Sequence, residues 1–382
     1  MAVQNRTDVV VVGAGVVGAS CAFQLARSGL NVVVLETYDG PAEGSSGRSF
    51  ASVRAQWADA LNIDLSWRSI QAYRDFEQTH GFDVGYRASG YLLLVPEHAW
   101  ADHLEAVELQ RAHGVPVDVL DVAAAQAITP FSADGIAGAT WGPADGVVDP
   151  HLAAGAWLTM ARALGTQVRF RRRVTSVERA GDGWRVTAGG EAVDCRYVVN
   201  AAGGWGGEVA ALAGLEVPVV HSRRNVYATA PGALAGPLPM TIDVGSGVYL
   251  RTEGERLLFA GAKPDEVDGH NVSVDWPWME KVLELGSARF PWLADLPLDR
   301  AGCWAGTYEN TPDHHPVLGE APGAPGWINA CGFSGHGVIQ APVAGQLVTE
   351  EIIDGGVHSV DMSALRLERF AEARVDTAGL VF

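Results

Sequence analysis

Apolar residues open the chain in short unbroken runs, then recur at helical or alternating spacing further on. Asp8 to Val12 is a β-branched run that stops at Gly13, which predicts a strand buried on both faces of a parallel sheet. From Val16 to Arg27, Ala19, Ala22, Phe23 and Ala26 recur at helical spacing, and Gly29 ends the helix. Residues 31–36 repeat the strand pattern, so the opening reads as a βαβ unit. Helical periodicity returns over 59–79 and 97–113, and again from Pro150 to about Leu164, where Asp149 serves as N-cap. Residues 91–95 predict a strand, as do 174–178 and 184–187 around the turn Gly181-Asp182-Gly183. Residues 198–200 run as a strand into Ala201-Ala202-Gly203-Gly204, with a helix start at Trp205. The stretch 217–259 reads as mostly β, 276–290 as helix and 327–330 as a last short strand. A helix is expected over 338–353, with Pro342 tolerable only in its first turn.

Because βα units return near residues 200 and 330, the β-rich stretches between them read as insertions into one α/β domain. The expected fold is α/β (α+β overall): a Rossmann-like nucleotide-binding domain with an interleaved antiparallel β-sheet domain. The first would comprise 1–82, 145–215 and 301–382, and the second 83–144 and 216–300.

Charge and cysteine content narrow the function. A formal charge of -18 repels phosphate backbones, so nucleic acid is not an expected partner. Arg171-Arg172-Arg173 reads as the solvated end of a strand. Cys21, Cys195, Cys303 and Cys331 form no CxxC pair and no zinc-ligand spacing. The start lacks the shape of a signal peptide, and no apolar run is long enough to span a bilayer. A reduced, cytoplasmic protein is expected.

Gly13-Ala14-Gly15-Val16-Val17-Gly18 follows the first strand and opens the first helix, and Glu36 ends the second strand. In that setting Gly13 permits the tight turn, Gly15 lets a pyrophosphate approach the backbone, and Gly18 lets helix and strand pack closely. The helix N-terminus offers free N–H groups to phosphate, and Glu36 can accept from both ribose hydroxyls. Gly44-Ser45-Ser46-Gly47-Arg48 is small and polar, able to reach a pyrophosphate.

With these motifs the chain resembles the D-amino-acid oxidase superfamily of flavoproteins, in the branch of glycine oxidase and monomeric sarcosine oxidase. Further support comes from Asn200-Ala201-Ala202-Gly203, Trp304-Ala305-Gly306, Thr311-Pro312-Asp313 and Gly332-Phe333-Ser334-Gly335-His336-Gly337. The resemblance implies non-covalent FAD. Gly13, Gly15, Val16, Val17, Gly18, Glu36 and Ser45 would hold the ADP half, with Ser46 and Arg48 toward the phosphates and ribityl chain. Val174 would meet the adenine, and Ala202 with Gly203 would cover the pyrophosphate. Gly335, His336, Gly337 and Val338 would sit beside the pyrimidine end of the ring, where N–H groups at a helix start favour hydride acceptance. The implied reaction moves a hydride from the carbon next to an amine or amino-acid nitrogen to the flavin, and oxygen or another acceptor takes the electrons.

Substrate residues are harder to place. Arg54 lies ten residues past Gly44, where sarcosine oxidases keep a carboxylate-binding arginine. Tyr249 and Arg251 alternate on a predicted strand and share a face, free to cover a ligand or to pack. Tyr308 falls where glycine oxidase carries its carboxylate arginine, and Ile339 where sarcosine oxidase carries a lysine. Both departures point to a larger or less anionic substrate, with Trp57 and Tyr308 walling an apolar pocket. Gly306, not Cys303, matches the position of covalent flavin attachment. Lys263 is the lysine nearest the oxygen-activating position. Asp313-His314-His315 suggests no metal, since adjacent strand residues face opposite ways. Two alternatives remain: a 2-hydroxy-acid dehydrogenase, which needs His221, His270 or His336 as base, and a flavoprotein used mainly for assembly, which would show no anchor.

Overall fold

The valine runs and the glycines that stop them define the first elements of the computed structural model, which describes residues 6–371. β1 (Arg6–Val12), α1 (Val16–Arg27) and β2 (Val32–Leu35) form the βαβ unit. β1 pairs in parallel with β2 on one side and with Glu191–Asn200 on the other. The sheet continues through Trp327–Cys331 to the antiparallel edge strand Val317–Glu320, and beyond β2 to Gln167–Arg169. A hairpin of Val174–Ala180 and Gly183–Ala188 extends from Glu191–Asn200. Val9 and Val11 enter the core beneath α1 and the helix Gly337–Ile353, whereas Val10 and Val12 enter a second core with Trp184 and Trp327. Burial on both faces is why the run has no polar alternation.

The second sheet runs in the order Trp304–Asn310, Val220–Ala228, Arg256–Gly261, Val248–Glu253, Met240–Asp243, Tyr91–Pro96, Ile136–Gly142, Asp118–Leu120. It is antiparallel except where Met240–Asp243 pairs in parallel with Tyr91–Pro96, strands joined only by a long crossover. One face, with Leu92, Leu94, Leu250 and Phe259, packs beneath the helix Trp276–Arg289. Tyr91, Leu93, Ile242 and Tyr249 occupy the opposite face. Trp304–Asn310, expected with the nucleotide-binding segments, joins this sheet through pairing with Val220–Ala228.

Three local expectations change. The helix expected over 59–79 is two, Ala60–Arg74 and Phe76–His80, broken at Asp75, whose carboxylate takes the Arg74 Nε at 2.7 Å. Pro342 sits a full turn inside Gly337–Ile353 rather than in its first turn. Its missing N–H frees the Val338 carbonyl, and the Tyr73 hydroxyl donates to that carbonyl at 2.7 Å. His314 and His315 lie in a turn, with His314 at φ 63, so the strand argument against a metal does not apply. Among the described residues no group of three or more His, Cys, Asp and Glu could hold a metal. No helix among them is long and apolar enough to cross a membrane.

Candidate active site

A cavity of about 730 Å³ runs from the β1–α1 turn to the start of the last helix, within the size range of small-molecule sites. Gly13, Gly15, Val16, Val17, Glu36, Ser45, Ser46 and Arg48 line one part of it, with Val174. Ala202 and Gly203 follow, and Gly335, Gly337 and Val338 line the far part with Tyr249 and Tyr308. Of the expected cofactor and substrate residues, Gly18, Arg54, Arg251 and His336 stand outside this lining, as does Trp57.

The backbone explains the glycines. Gly13 has φ 104, and a Cβ there would lie 2.5 Å from the Ala201 carbonyl oxygen. At Gly18 a Cβ would strike the Gly13 carbonyl at 2.1 Å, so this residue sets helix–strand packing and does not line the cavity. The N-cap of α1 is Gly15, which has no side chain to offer, and the first turn carries no acidic residue. Ser46 accepts the Val16 N–H at 3.2 Å, which leaves a positive helix end facing the cavity. Glu36 accepts the Ala14 and Tyr38 N–H groups at 2.6 and 2.8 Å, an arrangement that fixes its carboxylate on the cavity wall. A helix end for phosphate, a fixed carboxylate for ribose and a long cavity leading to a second helix start fit a dinucleotide such as FAD.

At the far end, Gly335 has φ 94, and a Cβ would lie 2.5 Å from the Tyr308 ring. His336 turns away: its imidazole packs edge-on to Trp57 at 4.4 Å between ring centres, and burial pushes its pKa down to about 3. Trp57 donates to Ser66 at 2.9 Å and does not wall the cavity. Arg54 is buried behind the wall. It lies over the Trp57 ring at 3.8 Å and donates to the Gln56 carbonyl at 2.7 Å. Burial holds its pKa below the usual arginine value, against the pull of Tyr91 and Asp145. Asp145 takes the Ala55 N–H and the Gln56 amide, yet burial pushes it up to about 7. Arg251 shares a face with Tyr249, but its guanidinium is taken by the Phe50 carbonyl and Glu253. Cys303 bonds the Asp299 carbonyl and the Ala228 N–H outside the lining, whereas Gly306 lines the cavity. Lys263 pairs with Asp275 at 3.0 Å, also outside the lining.

Among the cavity residues that escaped the sequence reading, Arg224 and Glu309 bear most on its chemistry. Arg224 pairs with Gly306 across the second sheet and lies over the Tyr308 ring at 4.6 Å. Its Nη1 donates to Ser222 and to the Arg223 carbonyl, both at 2.9 Å, while its buried Nε has no partner. Neighbouring Arg223 points the other way, into Glu266 and Asp275. The alternation Ser222, Arg224, Val226 was the available signal, and Val226 lines the cavity too. Glu309 is the other; its carboxylate accepts the Gly332 N–H at 3.0 Å, and burial pushes it up to about 7.

Comparison with known proteins agrees with this geometry. The family described as FAD dependent oxidoreductase (DAO) matches residues 8–351, and the chain belongs to it. The chain is 31% identical to FAD-dependent oxidoreductase domain-containing protein 1 of Xenopus laevis, over 96% of this chain and 83% of that protein. It is 28% identical to mitochondrial sarcosine dehydrogenase of Homo sapiens, over 97% of this chain but only 42% of that longer protein. The structure of L-proline dehydrogenase from P. horikoshii superposes with a TM-score of 0.91 at 26% identity, covering 98% and 100% of the two chains. The protein is therefore an FAD-dependent oxidoreductase.

Proposed function

We propose that the protein oxidises a small amine or amino acid that carries a carboxylate, by hydride transfer from the carbon next to nitrogen. The observation that carries this reading is Arg224. Its Nη1 is tied down by Ser222 and the Arg223 carbonyl, its Nε is buried without a partner, and the side chain lines a cavity end together with Tyr249 and Tyr308. A pinned guanidinium edge suits the two oxygens of a carboxylate. FAD, when bound, supplies the hydride acceptor. Gly13, Gly203, Ser46 and Glu36 would hold its nucleotide half, and the Gly335–Val338 turn its ring. The chain's own tasks are to orient the amine from its carboxylate and to exclude water with the two tyrosines. The second sheet forms the substrate side, and the parallel sheet the cofactor side.

A hydroxy-acid substrate would need a base for its hydroxyl proton. His270 does line the cavity, but it packs on Trp205, which itself packs on Tyr38 beside Glu36. His221 and His336 lie outside the lining. Relatives named for sarcosine and proline dehydrogenation support the amine reading. The test is anaerobic mixing of the yellow holoprotein with secondary amines, amino acids and 2-hydroxy acids while flavin absorbance is followed. Amino acids should bleach it; bleaching by hydroxy acids alone would reject the reading. Readmitted air then separates oxidase from dehydrogenase behaviour.

A further inference from the structure

Glu309 is a carboxylate without a counter-charge on the wall of a site that must accept negative charge. Its Oε2 accepts the Gly332 N–H at 3.0 Å, and the Phe333 N–H adds a second favourable contact. Its main-chain carbonyl takes the Ser334 N–H at 3.0 Å, so both ends of the residue grip the same turn. That turn is held against preference, with Ser334 at φ 49. Oε1 lies 3.4 Å from where a Cβ on Gly337 would stand, beside the first residue of the last helix. The first N–H groups of that helix have no carbonyl partner within it.

The surroundings leave the carboxyl free to change charge. Among the described residues no cation forms an ion pair with it. From the neighbouring strand, His221 is its register partner, but that ring is engaged with Thr307 Oγ1 at 2.9 Å. From Trp327–Cys331, the Cys331 thiol feels the Glu309 charge and is itself pushed up chiefly by burial. Gly203 faces it from the pyrophosphate side with no side chain. Burial therefore dominates and leaves the group poised near neutral pH.

We propose that Glu309 is the proton-holding residue of this site: it positions the Gly332–Ser334 turn, and it takes up one solvent proton when a hydride enters the cavity. The balance is simple. Two electrons and one proton leave the substrate carbon as hydride and bring one negative charge; one solvent proton converts the Glu309 carboxylate to a carboxylic acid. The charge of the site is then unchanged. This rests on flavin binding in the cavity but not on which amine is oxidised.

The test is the midpoint potential of the bound flavin as a function of pH, in the wild-type holoprotein and in Glu309→Gln, with dithionite as reductant. Coupling to one extra proton is tenfold per pH unit, or about 30 mV for two electrons. Over part of the range from roughly pH 6 to 9, the wild-type potential should fall that much more steeply per pH unit than the variant's. Parallel curves would overturn the proposal. Should the variant retain no flavin, the infrared difference spectrum of the wild type decides: reduction must produce a carboxylic-acid C=O stretch that shifts in Glu309→Asp, and its absence refutes the role. Dithionite needs no amine, so a wrong substrate assignment leaves this result untouched. A wild-type protein that takes up no FAD fails the cofactor reading instead.

Discussion

Replacing Arg224 by methionine removes a charge while keeping similar length and packing against Tyr308. In the wild type, Nη1 is held by Ser222 and the Arg223 carbonyl, so on the proposed reading the guanidinium would meet a carboxylate in the cavity without reordering the side chain. A charge-assisted hydrogen bond contributes about 1.5–3 kcal/mol, and removing one partner of a desolvated charged pair costs about 2–5 kcal/mol. A central figure of about 3 kcal/mol corresponds to a loss of roughly 150-fold in kcat/KM. Arg224→Lys keeps the charge but loses the fork, and should lose on the order of tenfold. The assay is anaerobic stopped-flow bleaching of the flavin with an amino acid and with its decarboxylated amine. The amine should change by less than about threefold, since it has no carboxylate to lose. Equal losses on both substrates, with flavin content and melting temperature retained, would refute the anchor and leave Arg224 as packing for Tyr308.

Three further outcomes follow from the geometry. Tyr73→Phe strips the Val338 carbonyl of its donor and should destabilise the fold by about 1–3 kcal/mol in urea melts, with Pro342→Ala restoring part of the loss by supplying an N–H; a double variant no better than Tyr73→Phe would show that the contact is incidental. Gly335→Ala forces a side chain at φ 94 into the Tyr308 ring, so the purified protein should lose most of its yellow colour at a small cost in melting temperature; full flavin content would contradict the tight approach. Asp145 is raised from 3.8 to about 7 by burial, a term of roughly 4 kcal/mol at about 1.4 kcal/mol per pH unit. Because the folded pKa is the higher one, this contribution is complete below about pH 4 and disappears as pH rises through 7. The stability of wild type relative to Asp145→Asn should fall by roughly 4 kcal/mol over that window, and a constant difference would exclude the effect.

The part of the cavity at the β1–α1 turn was legible because its geometric requirements are local. A glycine at φ 104 or a carboxylate ending a valine strand shows in a few adjacent letters. The substrate end depends on register between distant strands. Arg224 reaches the cavity because it pairs with Gly306, and nothing near residue 224 announces that pairing. Arg54 carries the expected residue type at the expected spacing. Its guanidinium is nonetheless claimed by Trp57 and Gln56, in a pocket shared with Asp145, which arrives from far along the chain. Arg251 obeys strand alternation and shares its face with Tyr249, but the Phe50 carbonyl, from the loop just after Ser46–Arg48, takes it. Pro342 read as a first-turn proline because a remote phenol could not be anticipated from the helix alone.

The position of β1 has a consequence for biogenesis. This strand is central, yet its partner on one side is Glu191–Asn200, and the next strand out is Trp327–Cys331. During synthesis the ribosome delivers β1 and β2 long before the strands that shield their other edge. Non-local parallel pairing of this kind closes slowly and leaves apolar surface open meanwhile. Since Gly203 and the Gly335–Val338 turn arrive with or after those late strands, a nascent chain stalled before residue 327 has a phosphate-ready helix end and no finished cavity. The cavity is thereby complete only once the strand Trp327–Cys331 and the turn after it are in place.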